Sequence, residues 1–267
     1  QDLDYENGYS LYVGIPFCPS ICLYCSFGSH PLERWTKRVD EYLDTLCKEL
    51  TFIREQMGAR KLTTVYIGGG TPTTLELEQL RRLLSHIQET FDFTWVKEYT
   101  VEAGRPDSIT REKLQVMKEF PVTRISVNPQ TMNQKTLDVI GRKHTVEEIK
   151  EAYALARKTG FDNINMDIIA GLPGEDISDM EDTLAQIAQM HPDSLTVHSL
   201  AIKRAARMEI EDLNRDAKET QEILSGMIER AAKAAKEMDL FPYYLYRQKN
   251  IAGNFENVGY AKVDKAG

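Results

Sequence analysis

The chain alternates between two kinds of segment, and this alternation constrains its fold more than any other feature. Six short runs are rich in β-branched and other apolar residues, and a helical pattern follows each. The predicted strands are Leu11–Phe17, Thr63–Ile67, Glu98–Glu102, Arg124–Val127, Asn163–Ile169 and Ser194–Leu200. The predicted helices are Trp35–Met57, Leu75–Phe91, Thr110–Phe120, Asn133–Ile140 with Val146–Thr159, Ile177–Met190 and Asn214–Met238. Six successive β/α units predict a parallel sheet with right-handed crossovers.

Two α/β architectures satisfy this pattern: a doubly wound open sheet, and a barrel that is complete or partial. In both, functional groups gather at the carboxyl ends of the strands. The strands read as apolar on both faces, which predicts helices on one side and a packed interior on the other. No low-complexity tract or linker interrupts residues 1–267, so we expect a single domain. Because the sequence begins with Gln1, we also expect it to be a piece of a longer polypeptide.

Charge and composition narrow the classes of protein that are compatible with the chain. The formal net charge is −8, which argues against a nucleic-acid surface, since phosphate binding needs clustered Lys and Arg. The sequence contains no run of about 18 apolar residues, the length that a transmembrane helix needs. Its acidic start does not resemble a secretory signal. Three of the four cysteines lie within eight residues. Such a thiol cluster is typical of metal binding in a reducing compartment, so we expect a cytoplasmic protein.

The cysteines form a C-x3-C-x2-C cluster, Cys18, Cys22 and Cys25, directly after the first predicted strand. Three thiolates on one short loop can bind one face of a [4Fe–4S] cluster and leave its fourth iron without a protein ligand. The alternative is a structural zinc site, which needs a fourth ligand. His30 or Cys47 would have to supply it. Cys47 falls within a helical pattern of leucines, so we interpret it as a buried core thiol.

Several later strands also end in groups that can contact a ligand. Gly68-Gly69-Gly70-Thr71 follows the second strand, and glycines there allow the backbone to approach a ligand and expose its N–H groups. Glu102 ends the third strand, and Gln130 follows the fourth. Asp167 lies inside the apolar fifth strand, where a carboxylate is costly unless it faces a polar site. Together with the cysteines, these groups predict one shared site at the carboxyl edge of the sheet.

Two other features receive a structural interpretation. His198, near the end of the sixth strand, is interpreted as a structural histidine. The aromatic residues Tyr243, Tyr244 and Tyr246 are interpreted as core packing, with contact to a bound ligand as the alternative.

The motifs together resemble those of a known superfamily. The cysteine cluster, with an aromatic residue before its last cysteine, is similar to the signature of the radical S-adenosylmethionine (SAM) superfamily. Within it the chain resembles the oxygen-independent coproporphyrinogen III oxidase group. It is most similar to the HemZ-like branch, judged by Tyr243-Tyr244-Leu245-Tyr246-Arg247-Gln248-Lys249-Asn250 and Glu256-Asn257-Val258-Gly259-Tyr260. The resemblance covers residues 12–261, including Gly68-Gly69-Gly70-Thr71-Pro72-Thr73, Gly141-Arg142-x-His144 and Asp167-x-Ile169-x-Gly171-Leu172-Pro173.

This resemblance implies a partial (βα)6 TIM-like barrel of the radical SAM type. It implies a [4Fe–4S] cluster on Cys18, Cys22 and Cys25, with S-adenosyl-L-methionine as the second cofactor. Carried over by motif, the SAM pocket would consist of Tyr12, Tyr24, Gly69, Gly70, Thr71, Glu102, Gln130, Arg142, Asp167 and Ala201. The acids suit ribose or amino groups, and the guanidinium fork of Arg142 suits a carboxylate.

The resemblance also suggests the reaction. Members of the group form a 5′-deoxyadenosyl radical and convert coproporphyrinogen III to protoporphyrinogen IX by oxidative decarboxylation, with an electron-donating redox protein as partner. Established oxidases have a fourth cysteine two residues after the third, whereas this chain has Cys25-Ser26-Phe27. The same Ser-Phe pair occurs in the haem chaperone branch. Binding and delivery of haem is therefore the alternative function.

Overall fold

The computed structural model describes residues 6–25, 30–200, 217–247 and 255–265. In it, six parallel strands form the body of one curled, open sheet. These strands are β1 (Gly8–Ile15), β4 (Lys61–Gly69), β5 (Glu98–Glu102), β6 (Arg124–Ser126), β7 (Ile164–Ala170) and β8 (Ser194–Ser199). They are hydrogen-bonded in this order, and each pairs in parallel with the next. The parallel α/β partial barrel predicted from the sequence is confirmed.

Helices connect the strands and cover the outer face of the sheet. They are α1 (Leu32–Trp35), α2 (Val39–Met57), α3 (Leu77–Thr90), α4 (Arg111–Glu119), α5 (Gln134–Val139), α6 (Val146–Thr159), α7 (Ile177–Met190) and α8 (Ala217–Glu237). The first predicted helix is divided, because a 3₁₀ turn at Thr36–Arg38 separates α1 from α2. No helix in the described ranges is long and apolar enough to cross a membrane.

Local sequence signals set the ends of these helices. The Thr145 hydroxyl accepts from the Glu148 N–H, and the Glu148 carboxylate accepts from the Thr145 N–H, which closes a capping box at the start of α6. Gly160 ends α6 in the left-handed region, with φ of 97°. The Thr110 hydroxyl likewise accepts from the Lys113 N–H at the start of α4.

Two antiparallel strands extend the sheet beyond the six predicted ones. These are β10 (Asn257–Ala261), which pairs with β8, and β9 (Phe241–Tyr246), which pairs with β10 and forms the sheet edge. The side chains of β9 are exposed, including those of Tyr243, Tyr244 and Tyr246. The interpretation of this aromatic run as core packing is therefore wrong, because an edge strand packs on only one neighbour.

The two faces of the sheet differ in polarity. One face, with Val65, Val101 and Ile125, is buried under the helices. The other face carries the alternate residues, which are mostly polar, since side chains point to opposite faces along a strand. This polar set comprises Tyr12, Tyr66, Thr100, Glu102, Arg124, Ser126, Asn165, Asp167, Ser194, Thr196 and His198. The expectation of strands that are apolar on both faces is wrong.

A separate pair of two-residue strands positions the first cysteine. In this pair β2 (Phe17–Cys18) lies parallel to β3 (His30–Pro31), with Phe17 opposite His30 and Cys18 opposite Pro31. The His30 N–H also donates to the Pro16 carbonyl, at 2.7 Å. The chain that leaves β1 is thus fixed where the cysteine loop begins.

Candidate functional site

A cavity of about 490 Å³ opens at the carboxyl ends of the parallel strands, within the size range of small-molecule sites. It brings together all three clustered cysteines and every other predicted site residue that the structure describes. These lining residues are Cys18, Cys22, Cys25, Tyr12, Tyr24, Gly69, Gly70, Thr71, Glu102, Gln130, Arg142 and Asp167. The remaining predicted residue, Ala201, lies outside the described residues.

The cysteine loop forms one wall of the cavity. The Cys25 N–H donates to the Cys22 carbonyl at 3.1 Å, and the Leu23 N–H donates to Ile140 at the end of α5 at 3.0 Å. The Thr71 hydroxyl contacts Cys18 Sγ at 3.4 Å. Burial raises the pKa of the Cys18 thiol, and the Thr71 hydroxyl opposes that shift. The first and second cysteines are buried, and the third is partly exposed.

The surroundings of these cysteines bear on the zinc alternative. Across the described ranges, no three His, Cys, Asp or Glu side chains converge closely enough to hold a metal ion. In a cubane cluster each cysteine binds a different iron, so its ligands need not converge on one point. His30 and Cys47 do not line the cavity. Cys47 is only partly buried in α2, which corrects its interpretation as a core thiol.

The glycine run packs against the backbone that leads into the cysteine loop. The Gly70 N–H donates to the Ile15 carbonyl at 2.6 Å, and the Thr71 N–H donates to the Phe17 carbonyl at 2.7 Å. Gly69 has a φ of 102°, in the region that favours glycine. The prediction of N–H groups exposed to a ligand is therefore wrong for Gly70 and Thr71. Gly69 and Gly70 still line the cavity, so their backbone can contact a bound molecule.

Glu102, at the end of β5, is held by two neighbouring side chains. The Tyr66 hydroxyl donates to Glu102 Oε1, and Asn128 Nδ2 donates to Oε2 at 2.9 Å. Burial raises the pKa of this carboxyl, and the Asp167 carboxylate adds to the shift. Burial and the adjacent Glu102 also raise the pKa of Tyr66. The site thus presents an oriented acidic acceptor.

Asp167, in the middle of β7, is paired with a histidine from the neighbouring strand. His198 Nε2 lies 3.6 Å from Asp167 Oδ2, and Asn165 Nδ2 donates to Oδ1 at 2.6 Å. Burial opposes ionisation of both partners. The His198 contact nevertheless holds the pKa of Asp167 below its ordinary value, and Asp167 raises the pKa of His198. The carboxylate therefore faces a polar site, as expected, and His198, interpreted as structural from the sequence, also lines the cavity.

Gln130 adopts a backbone conformation that is uncommon for a residue with a side chain. Its φ is 68°. Its N–H donates to the Asp167 carbonyl, and its carbonyl accepts from the Ile169 N–H, both at 2.9 Å. Its side-chain Oε1 is buried without a hydrogen-bond partner. Such strain and an unsatisfied polar atom are typical of ligand sites.

Arg142 is anchored mainly to the protein. Its Nη1 donates to the carbonyls of Asn128 at 2.7 Å and Gly104 at 3.2 Å, and its Nη2 donates to the Tyr24 hydroxyl at 3.2 Å. The remaining Nε is buried without a partner. The expectation that the whole fork receives a carboxylate needs correction, because main-chain oxygens occupy much of it. Burial raises the pKa of Tyr24, although Arg142 opposes that shift.

The donor set fits the two cofactors that the motifs suggest. Three thiols on one loop suit an iron–sulfur cluster with an open iron. Beside them, Gln130 Oε1, Asn128 Oδ1 and Arg142 Nε are buried polar atoms without partners, which a ligand rich in donors and acceptors would satisfy. Gly69 and Gly70 lie along the same wall of the cavity, where their backbone can contact such a ligand.

Sequence reasoning missed several residues of the cavity wall. They are Ser20, Tyr66, Gly104, Arg105, Asn128, Ile169, Ser199, Leu200 and Asn257. Because side chains alternate between the two faces of a sheet, a count along β4 and β5 would have placed Tyr66 on the same face as Glu102. The tyrosine ring also stacks on Tyr12, with centroids 6.0 Å apart and planes at 13°. No local signal marks Arg105 or Asn257, which reach the cavity through the fold.

Comparison with known proteins agrees with this geometry. The profile of the Radical SAM superfamily matches residues 12–187. HemZ of Bacillus subtilis (strain 168), an oxygen-independent coproporphyrinogen-III oxidase-like protein, is 46% identical over 255 residues, 94% of this chain and 51% of that protein. The heme chaperone HemW of the same organism is 36% identical over 195 residues, 73% of this chain and 51% of that protein.

A solved structure supports the same assignment. Coproporphyrinogen III oxidase (HemN) from Escherichia coli, a radical SAM enzyme, aligns with a TM-score of 0.79 and 26% identity over 95% of this chain and 55% of that one. The chain spans about half the length of the relatives it matches. A [4Fe–4S] cluster and SAM are the implied cofactors. The chain therefore belongs to the radical SAM superfamily, within the group that includes HemZ, HemW and HemN.

Proposed function

We propose that this chain carries the catalytic site of an oxygen-independent coproporphyrinogen III oxidase, which forms protoporphyrinogen IX in haem biosynthesis. The observation that supports this most strongly is the cavity that joins three clustered cysteines to Glu102 and Gln130. The similarity to HemN supports the choice of substrate.

In this proposal Cys18, Cys22 and Cys25, which all line the cavity, would hold the [4Fe–4S] cluster. Their loop enters directly from β1 and β2, so the sheet fixes one wall of the site. Thr71 supports the first cysteine through its hydroxyl contact.

The polar groups that follow or end the later strands would bind and orient SAM. Glu102 and Asp167 are fixed acceptors for ribose hydroxyls or an amino group, because neighbouring donors already define their orientation. Gln130 Oε1 and Arg142 Nε would complete the pocket as buried groups that gain partners on binding. Gly69, Gly70 and Thr71 would contact SAM from the glycine run, and Tyr12, Tyr24 and Ala201 complete the proposed set.

A cluster held by these cysteines, together with SAM and one electron, would supply a 5′-deoxyadenosyl radical for removing hydrogen from a propionate side chain. Each propionate loses one hydrogen atom, carbon dioxide and one electron, and becomes a vinyl group. The conversion of two propionates therefore requires a low-potential electron donor, such as a redox protein, and an electron acceptor. An oxygen-labile cluster and free thiols suit the reducing cytoplasm, where we place the protein.

Anaerobic product analysis of the intact polypeptide tests this function. The protein is incubated with dithionite, SAM, coproporphyrinogen III and an electron acceptor, and the tetrapyrroles and nucleosides are separated by liquid chromatography with mass detection. We expect the divinyl product together with 5′-deoxyadenosine. If 5′-deoxyadenosine accumulates without any vinyl product, the substrate assignment is refuted and the radical chemistry is retained.

Haem delivery is the second candidate function, and the similarity to HemW favours it. In that case the protein would bind haem in equimolar amount and pass it to an acceptor protein without converting coproporphyrinogen. A saturable Soret band on haem addition, with no divinyl product in the assay above, would support the chaperone over the oxidase.

A further inference from the structure

Arg105 is a buried cation beside the cysteine loop that the proposed function does not use. It follows β5 by three residues, and only 3% of its surface is exposed. Its Nη1 lies 3.6 Å from Cys22 Sγ and 3.3 Å from the Ser20 carbonyl, and its Nη2 donates to Ser20 Oγ at 3.0 Å. One guanidinium therefore contacts both a cysteine and the backbone between two cysteines.

Asp107 fixes the orientation of this guanidinium. Asp107 Oδ1 accepts from Arg105 Nε at 3.1 Å, and Oδ2 accepts from Nη2 at 2.9 Å. A bidentate pair of this kind restricts rotation of the guanidinium plane, so Nη1 is directed at the sulfur. The nearby His144 Nδ1 lies 3.9 Å from Asp107 Oδ1. Burial and the neighbouring arginines lower the pKa of His144 to about 3, so this histidine adds no charge at neutral pH.

The second and first cysteines have different surroundings. Cys22 contacts Arg105, and the guanidinium of Arg142 also interacts electrostatically with its sulfur. Cys18 instead contacts the neutral hydroxyl of Thr71. A cationic N–H donor near a thiolate stabilises the more negative form of an iron–sulfur cluster, because hydrogen bonds and charge at the sulfurs set its reduction potential.

We propose that Arg105, oriented by Asp107, raises the reduction potential of the cluster by donating to the Cys22 thiolate, while its contacts to Ser20 hold the loop. The inference rests on the proposed function, since it needs the cluster on the three cysteines. The step is a one-electron reduction of the [4Fe–4S] cluster from the 2+ to the 1+ state. A low-potential donor supplies the electron, dithionite in the test, and no bond forms or breaks.

The Asp107 carboxylate partly offsets the charge of the guanidinium, so the two residues should act in opposite directions. Removal of the cation in R105Q should lower the midpoint potential. Removal of the anion in D107N should raise it, because the asparagine oxygen can still accept from the guanidinium while the positive charge is no longer offset. A residue that served only to fold the loop would not produce shifts of opposite sign.

The test is an EPR-monitored redox titration of anaerobically reconstituted protein at one pH, without SAM. For R105Q we expect the one-electron reduction equilibrium to fall about tenfold, which corresponds to about 59 mV. R105K keeps the charge without the fork and should lie between R105Q and wild type. R81Q is the matched control, because Arg81 forms a surface ion pair with Glu119, and it should retain the wild-type potential.

The outcomes separate this inference from the proposed function. Wild-type protein that binds no cluster would refute the proposed function itself. A wild-type cluster whose potential is the same in R105K, R105Q and D107N would refute the role of Arg105 alone. If R105Q fails to hold iron, R105K and D107N still decide the question. An unchanged potential with weaker SAM binding in R105Q would also overturn the inference, since it would make Arg105 a SAM ligand.

Discussion

Asn128 Nδ2 lies 2.9 Å from Glu102 Oε2, so an amide from the loop after β6 holds the carboxylate that ends β5. The Tyr66 hydroxyl, from the strand on the other side of β5, donates to the second carboxylate oxygen. Groups from three neighbouring strands and their loops thus determine the orientation of one acidic group. An acceptor held in this way needs little reorganisation when a ligand donates to it.

Replacement of Glu102 by Gln should therefore weaken SAM binding. The amide removes the charge and keeps one acceptor oxygen for the two donors, Asn128 Nδ2 and the Tyr66 hydroxyl, that the carboxylate accepts from. Hydrogen bonds to charged groups contribute about 1.5–3 kcal/mol, so we expect the SAM Kd to rise about tenfold or more. Isothermal titration of anaerobically reconstituted protein measures this value. Glu119→Gln, at a surface ion pair, is the control, and an unchanged Kd in E102Q would contradict the role of Glu102.

Gly70 should not tolerate a side chain. A Cβ there would lie 2.6 Å from the Phe17 carbonyl oxygen and 2.9 Å from that of Ile15, both in the backbone that enters the cysteine loop. Overpacking of this kind typically costs about 1–3 kcal/mol. We expect Gly70→Ala to lower the Tm and the iron content after reconstitution. Gly14→Ala, whose nearest contact would be 3.6 Å away, should keep both. Equal behaviour of the two variants would refute the close approach.

The buried His144 should make the fold sensitive to acid. Its pKa is about 3 in the fold because burial and the nearby Arg142 and Arg105 disfavour the imidazolium, whereas an unfolded histidine titrates near 6.5. Between these values the unfolded chain binds one more proton. The free energy of unfolding should therefore fall with decreasing pH, by up to about 1.4 kcal/mol per pH unit from this residue.

Urea unfolding at a series of pH values from 7 to 5 measures this dependence. His144→Gln should show a smaller slope than wild type in this window. His191→Asn is the control, because it removes an exposed histidine and suits the left-handed conformation that ends α7. Identical slopes for wild type and His144→Gln would show that His144 does not resist protonation.

The stability contributed by the Asp167–His198 pair should decrease as the pH rises, whereas the contribution of His144 increases. Asp167 raises the pKa of His198 although burial opposes it. The stability that this pair contributes is present below pH about 6.5 and is lost as the pH rises through the folded pKa. In proton NMR titrations we expect the His198 ring signal to titrate at lower pH in Asp167→Asn than in wild type. Asp44→Asn, at a surface pair with Arg82, should leave it unchanged, and the same midpoint in all three proteins would refute the pairing.

The alternating pattern of the sequence was sufficient to predict the six parallel strands and the edge where the site lies. Asp167 could be predicted because a carboxylate inside a buried strand is costly unless it faces a polar site. Gln130 could be predicted from its position after the fourth strand and from the family motif. The contact between Arg105 and Cys22 could not be predicted, because it joins loops at the ends of different strands. The exposed aromatic strand β9 was misinterpreted, because hydrophobicity alone does not distinguish an edge strand from a core strand.

Iron and sulfide analysis of anaerobically reconstituted protein tests the central claim, that Cys18, Cys22 and Cys25 hold a [4Fe–4S] cluster. We predict about four irons and four sulfides per chain in wild type and in Cys47→Ala, the control cysteine outside the cavity. Each of Cys18→Ala, Cys22→Ala and Cys25→Ala should lose most of the iron and the brown colour. One zinc per chain without iron, or full iron content in all three variants, would contradict the claim.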